Sequence, residues 1–253
     1  MPKIKPFSSK FEIYSTTEEG GAGLVEVSDP LHQSILCHLA ESNMSTTDIS
    51  AMTGKAQSTL SVHLDHMVSE GLIRSESDPT DSRRKIFSLS SKKLAFSKET
   101  NPEGVGYARH MLKTGIDSME DFPKNFIKAL LVMSEASGLD IGPIMENLGT
   151  EVADLLAPTM SSNKVEDIMK RLQEFYEIVD FGEVCIYTFL PLTIIIRVQE
   201  ETPEMQIESR PKFSHGLFRR ILTTMIGRRY DVTYSETFGV NNNYHKFVIE
   251  PVK

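Results

Sequence analysis

Hydrophobic and polar positions change rhythm several times along this chain, and each change marks an element. Residues 11 to 28, "FEIYSTTEEGGAGLVEVS", alternate at both ends around a Glu-Glu-Gly-Gly centre. That pattern predicts a β-hairpin, with glycines supplying the turn conformations. "SDPLHQSILCHLAE" then shifts to helical spacing, with Leu31, Ile35, Leu36 and Leu39 on one face. Ser28 or Asp29 can cap this helix, and Pro30 suits its first turn. In "MSTTDISAMTGKAQSTLSVHLDHMVSEGLI", Thr46 or Thr47 can cap a short helix ending at Met52. Thr53, Gly54 and Lys55 make a tight turn, and a second helix runs from about Ala56 to Glu70 with Leu60, Leu64 and Met67 inward. Gly71 ends it. Two short helices joined by a glycine turn are the helix-turn-helix pattern.

The next segment, "LIRSESDPTDSRRKIFSLS", predicts two antiparallel strands, Leu72 to Glu76 and Lys85 to Leu89. A hairpin directly after a helix-turn-helix is a wing. "SSKKLAFSKETNPEGVG", 90 to 106, is rich in Ser, Lys, Gly and Pro, and the domain boundary is expected at 98 to 104. Helical stretches follow at 105–118, 122–136, 141–156 and 163–177, the last carrying Val165, Ile168, Met169, Leu172 and Phe175. "GEVCIYTFLPLTIIIRVQ" reads as two strands, 214–227 as a helix, and "YDVTYSETF" and "HKFVIEPV" as closing strands. The expected class is α+β. Residues 1–98 form a winged helix-turn-helix with an N-terminal hairpin, 99–138 linker or dimerisation helices, and 139–253 an α+β domain with a mainly antiparallel sheet.

Composition narrows the function. The chain has 253 residues, 40% hydrophobic and 25% charged, with room for two modest cores. No apolar run reaches the roughly 18 residues of a membrane span, and "MPKIKPFSSK" lacks the apolar centre of a secretory signal. Cys37 and Cys185 show no metal-ligand spacing, which points to a reducing, cytoplasmic setting. The formal net charge is -8, which speaks against nucleic acid until its distribution is considered. Residues 45 to 93 hold seven Lys/Arg against six Asp/Glu, about +1, and the rest carries about -9. Few phosphate contacts and weak non-specific DNA binding follow.

The second helix of the pair presents Gln57, Ser58, Thr59, Ser61, Val62 and His63 away from its core face. Small polar side chains near a helix N-terminus allow close approach to base edges, and Gln can bond adenine bidentately. The wing adds Arg83, Arg84 and Lys85, suited to phosphates or a narrow minor groove, while Asp78 and Asp81 can hold the guanidiniums or close the turn. The competing reading is a winged helix that contacts protein, its basic loop a solvated turn.

"STLSVHLDHMVSEGLI" resembles the recognition helix of the arsenic-repressor group of winged helices, and "DPTDSRRKIFSLS" resembles the D-x-x-D-x-R wing of the multiple-antibiotic-resistance regulator group. Together the two cover roughly residues 28 to 95. "LGTEVADLL", "VEDIMKRLQEFYEIVDFGEVCIY", "PKFSHGLFRRILTTMIGRRYDVTYSETF" and "HKFVIE" resemble successive pieces of the 4-vinyl reductase domain, a small-molecule-binding module of α+β fold, over roughly 140 to 251. The whole order is similar to that of methanogen-type archaeal regulators. The resemblance implies a dimeric DNA-binding regulator with a C-terminal sensor. It also implies a metal site of cysteines plus a glutamate, but its cysteine positions fall on Pro211, Gly239 and His245, leaving Glu236 and His245. Two such ligands make a poor zinc site, so neither metal nor cofactor is expected.

For an effector, the expectation is a small apolar or acidic molecule. Met111, Met119, Met133, Met145, Met169, Phe175, Phe181 and Met225 suit an adaptable cavity, although core is the stronger reading for any one of them. Cys185, Tyr187, His215, Arg219 and Arg220 are the candidate effector contacts, against the alternative that the arginines are solvated surface. Cys37 is expected to be a small buried hydrophobe, and Cys185 either that or a redox thiol. No phosphate loop, G-x-S-x-G elbow, H-E-x-x-H or C-x-x-C occurs, so no enzyme is expected. The leading reading is a homodimeric regulator of a double-stranded DNA operator. The alternatives are a ligand-binding or assembly protein whose winged helix contacts protein, and a thiol redox sensor acting through Cys185.

Overall fold

The computed structural model describes residues 10–18, 21–79, 81, 84–179, 181–197, 207–239 and 242–252. The class is the expected one: helices with antiparallel sheets. The chain divides into two compact units, Met1–Lys98 and Glu99–Lys253.

In the first unit, β1 (Glu12–Glu18) and β2 (Gly21–Val27) form the N-terminal hairpin. Three helices follow: α1 (Pro30–Leu39), α2 (Thr46–Thr53) and α3 (Gln57–Ser69). Between α1 and α2 lies β3 (Met44–Ser45), the outer strand of a three-stranded sheet in the order β3-β5-β4 with β4 (Ile73–Ser77) and β5 (Lys85–Leu89). Ile35, Leu36, Leu39, Ile49, Leu60, Leu64, Met67, Leu72 and Phe87 bury together as the core.

Two local features differ from expectation. The cap of α2 is Ser45, one residue before the expected threonines. Its hydroxyl accepts the Asp48 N–H at 3.2 Å while Asp48 accepts the Ser45 N–H at 2.9 Å, a reciprocal capping box. The second feature is β6 (Ser91–Ser97), in the stretch expected to lead into the linker. It pairs with β1, and Lys93 reaches buried Glu12 at 2.6 Å, where Tyr14 also donates to Glu12. Burial and that carboxylate push the Tyr14 phenol far up. The Ser/Lys composition of β6 hides alternation in which the small residues Ser91, Ala95 and Ser97 are the buried ones.

The second unit opens with α4 (Pro102–Asp117) and α5 (Phe122–Ala136), then β7 (Leu139–Asp140), α6 (Gly142–Leu156), a 3-10 turn at Ala157–Thr159, and α7 (Val165–Val179). Strands β8 (Glu183–Phe189) and β9 (Leu192–Arg197) precede α8 (Arg210–Ile226), followed by β10 (Tyr230–Gly239) and β11 (Asn242–Pro251). The sheet is antiparallel in the order β10-β11-β9-β8. Helix α8 starts four residues before the expected 214, because buried Glu135 accepts the Ser209 N–H at 2.9 Å and its hydroxyl at 2.7 Å. Where α6 crosses α8 the backbones nearly touch. A Cβ on Gly149 would lie 2.1 Å from the Phe213 carbonyl oxygen, and one on Gly216 2.1 Å from that of Glu146.

Candidate nucleic-acid interface and effector pocket

Helix α3 is held by Leu60, Leu64 and Met67, one face of its thirteen residues. Gly54, at φ 69°, makes the turn from α2, a left-handed position that favours glycine. At the far end Gly71, at φ 71°, lets the Leu72 N–H reach the Met67 carbonyl at 3.0 Å, so the chain turns straight into β4. These two turns fix the helix and wing together and leave the outer face of α3 in solvent. Gln57, Ser58, Thr59 and Ser61 are exposed there, with Val62 at 72%. Gln57 makes one long hydrogen bond to Thr47, 3.4 Å, and Ser61 donates to the Gln57 carbonyl at 3.0 Å.

Two candidate contacts sit differently. His63 is half-buried, and its Nδ1 lies 2.9 Å from Nε2 of His32 on α1. Its ring meets His32 edge-on, while His66 stacks on the other side of His32. Burial pushes the His32 imidazole down; Asp29 opposes this, and His63 and His66 reinforce it. In the wing, Arg84 is drawn back to the base. Its guanidinium is 3.9 Å from Asp78 and donates to Ser45 at 3.3 Å, and its N–H donates to the Asp81 carbonyl at 2.9 Å. The two Ser45 hydrogen bonds hold Asp48 below the usual carboxylate range, with a further small pull from Arg84. Lys85 is exposed at the start of β5. Arg83 lies outside the described residues.

The arrangement is a helix-turn-helix with a hairpin beside it. Residues 29–75 match the family model for the bacterial regulatory protein, arsR family. This stretch is similar to an arsR-type helix-turn-helix. The match takes in α1 through most of β4 and leaves the second unit outside it. No curated protein matches the chain. A crystal structure of a vinyl-4-reductase family protein from Methanocaldococcus jannaschii aligns with a TM-score of 0.30 and 18% identity, over 43% of this chain and 68% of that one. That likeness is too distant to carry fold or function.

In the second unit a cavity of about 340 Å³ lies among α5, α6 and the ends of α7 and α8. Ile127, Leu131, Met145, Ile178 and Phe181 supply apolar wall, Lys124, Lys128 and Arg210 its cations, and Glu120 and Asp121 its carboxylates, Asp121 3.7 Å from Lys124. Met145 and Phe181 are therefore the two of the expected cavity residues that line it. The five candidate effector contacts do not. Tyr187 is 73% exposed on β8. His215 bridges Glu146 at 3.2 Å and the Val232 carbonyl at 3.0 Å. Arg219 pairs with Glu146 at 2.9 Å, and Arg220 with Asp154 at 2.7 Å. Burial pushes the Glu146 carboxyl up, but the His215 hydrogen bond and the charges of His215, Arg219 and Lys212 outweigh it, so its pKa falls below the ordinary range.

Cys185 is half-buried, and burial followed by Glu183 raises its thiol pKa. Cys37 corrects an expectation: it is exposed, not buried, because α1 turns Ile35, Leu36 and Leu39 to the core and Cys37 falls between them. The resemblance-derived pair, Glu236 and His245, lies at directly opposed positions of β10 and β11. His245 is buried, and burial followed by Arg210 pushes its pKa down to about 4. The Glu236 side chain lies outside the described residues. Among the described residues no helix is long and apolar enough to cross a membrane.

Proposed function

We propose that this chain is a DNA-binding transcriptional regulator, with α3 entering the major groove of a double-stranded operator and the wing beside it. The observation that carries the reading is the outer face of α3. Gln57, Ser58, Thr59 and Ser61 point to solvent from a helix whose other face is locked in the core, inside the segment that matches the arsR family model. Short polar side chains at the start of such a helix reach base edges, and Gln57 suits adenine. Lys85 and Arg83 are the wing's phosphate contacts, and Arg84 fastens the wing to α2.

The regulator works as a homodimer. Phe126, Ile127, Leu130 and Met133 form an exposed apolar stripe along α5, and Ile116 and Met119 extend it. Apolar surface of that extent on helices marks an interaction face, and two-fold symmetry matches paired half-sites. The effector is a small apolar molecule, seated in the cavity between α5 and α8 whose apolar wall is rimmed by charges of both signs, Lys124, Lys128 and Arg210 with Glu120 and Asp121. It acts by binding one arrangement of the dimer better than another. The thiol alternative loses support because burial, followed by Glu183, raises the Cys185 thiol pKa, which lowers the share of reactive thiolate.

The test is selection of binding sequences from a random duplex pool by the purified chain, followed by gel shift with Gln57→Ala and Thr59→Ala. A selected, two-fold site is expected, with each variant binding it about 10- to 100-fold more weakly, roughly 1–3 kcal/mol per lost base contact. Absence of any enriched sequence, or variants that bind like the parent, overturns the reading and favours a winged helix that contacts protein.

A further inference from the structure

Asp29, His32 and His63 belong to no spacing motif, since 31 residues separate the two histidines, yet the first unit brings them to one point. Asp29 is the N-cap of α1, His32 sits in the first turn of that helix, and His63 is in the middle of α3. We propose that these three side chains form a binding site for a divalent first-row transition ion of the zinc, cobalt or nickel type. The site is independent of whether α3 meets DNA.

The geometry is that of a ligand set waiting to close. One ligand atom from each residue lies within 4.8 Å of the other two. His32 Nε2 is 2.9 Å from His63 Nδ1 and 4.0 Å from Asp29 Oδ2. Tetrahedral zinc, with bonds of roughly 2.0–2.2 Å to nitrogen and oxygen, holds its ligand atoms about 3.4 Å apart. These two separations bracket that spacing, and the third, between Asp29 and His63, is at most 4.8 Å, so side-chain shifts on the order of 1 Å close the set. The two imidazole nitrogens face each other at 2.9 Å, and an ion between them takes the place of the hydrogen they share. Two imidazoles and one carboxylate suit zinc, cobalt and nickel, while magnesium and calcium prefer all-oxygen sets.

The surroundings hold the ligands in place. Asp29 uses Oδ1 to accept the Leu31 N–H at 2.7 Å, which orients the carboxylate and leaves Oδ2 facing His32. Hydrogen bonds to the non-ligating atom of a ligand are the usual way a metal site is preorganised. Both helices are anchored in the same core, α1 through Ile35, Leu36 and Leu39 and α3 through Leu60, Leu64 and Met67. Rigid elements are what position a site to within a few tenths of an ångström. The fourth position belongs to water. His66 stacks on His32, but it falls outside the set of ligand atoms that lie within 4.8 Å of one another. A bound ion therefore ties α1 to α3 and fixes the rotamer of His63.

The test uses the full-length chain stripped with a chelator and titrated with Co²⁺, whose visible absorption reports the ligand field, then with Zn²⁺ in competition. One ion per chain is expected. His32→Gln and His63→Gln should each weaken binding about 100-fold. Asp29→Asn keeps the helix cap and should weaken it about 10-fold. His66→Gln and His38→Gln should stay within about 3-fold of the parent. Saturating Zn²⁺ should raise the melting temperature of the parent and leave His63→Gln unmoved, and circular dichroism of each variant without metal checks its fold. No stoichiometric binding by the parent overturns the proposal, as does parent-like affinity in both histidine variants, which would place the ion elsewhere.

Discussion

Helices α3 and α8 each carry a run of polar candidate contacts and use it in opposite ways. In α8, His215, Arg219 and Arg220 all have partners: two converge on Glu146 and the third takes Asp154, both acceptors on α6. In α3, the exposed residues from Gln57 to Val62 make one long side-chain contact to Thr47 and one bond back to their own helix. The difference lies in what stands opposite. Helix α8 faces α6 across two glycines, near enough for long cations to find carboxylates. Helix α3 faces solvent. A run of polar side chains therefore marks an open face only where the fold places no partner opposite it. The wing repeats the lesson within two residues, since Arg84 is drawn to Asp78 and Ser45 while neighbouring Lys85 is exposed.

The contrast can be broken most severely at the α6–α8 crossing. Gly149→Ala places a methyl against the Phe213 carbonyl and the Leu217 N–H, both backbone groups that cannot step aside. A loss of about 3 kcal/mol is expected, at the upper end for overpacking, read as a lowered melting temperature. Gly216→Ala should behave alike against Glu146. A change under about 0.5 kcal/mol at both positions would mean the helices separate easily, and the pairing of the arginines would lose its cause.

Glu146→Gln is the intermediate case. It removes the charge that His215 and Arg219 share but keeps the shape, and a loss of about 1–3 kcal/mol at neutral pH is expected. The sign with pH follows from the depressed pKa. The carboxylate's contribution is present above its unfolded-state value and disappears as pH falls through the lower folded-state value. Urea denaturation across that acidic window should show the parent losing stability faster than Glu146→Gln. Parallel curves would remove Glu146 as the acid-sensitive group.

The smallest effect belongs to α3. Thr59→Ala and Gln57→Ala should change thermal stability by under about 0.5 kcal/mol, as exposed positions do, while affecting DNA binding by the larger factor given above. Destabilisation above about 1 kcal/mol would mean this face is held by structural contacts much as that of α8 is.

Much of the architecture was readable in the residues. Periodicity located all eight helices among the described residues, and Gly54 and Gly71 marked the α2–α3 turn and the end of α3. Strand β6 escapes the pattern because its buried positions are the small residues Ser91, Ala95 and Ser97 and two adjacent lysines interrupt the alternation, so the stretch looks like a linker. Cys37 was misplaced because an apolar stripe at Ile35, Leu36 and Leu39 does not by itself say which intervening position turns outward. The outer face of α3 could be named from the sequence because it depends only on local spacing. The histidine–aspartate cluster and the pairing of Arg219 and Arg220 could not, since both depend on residues far away along the chain meeting through tertiary packing. The one advance signal for the cluster was a histidine in the first turn of α1 beside a capping aspartate.

Strand β1 lies hydrogen-bonded against β6, with Glu12 and Lys93 joined across them and the Phe11 N–H donating to Ser97 at 3.0 Å. The reader's polypeptide thus enters and departs side by side, like a bracelet fastened at its clasp. A piece cut from residue 10 to residue 98 retains both ends of that fastening. It can be transplanted into a loop of an unrelated host without stretching either attachment point.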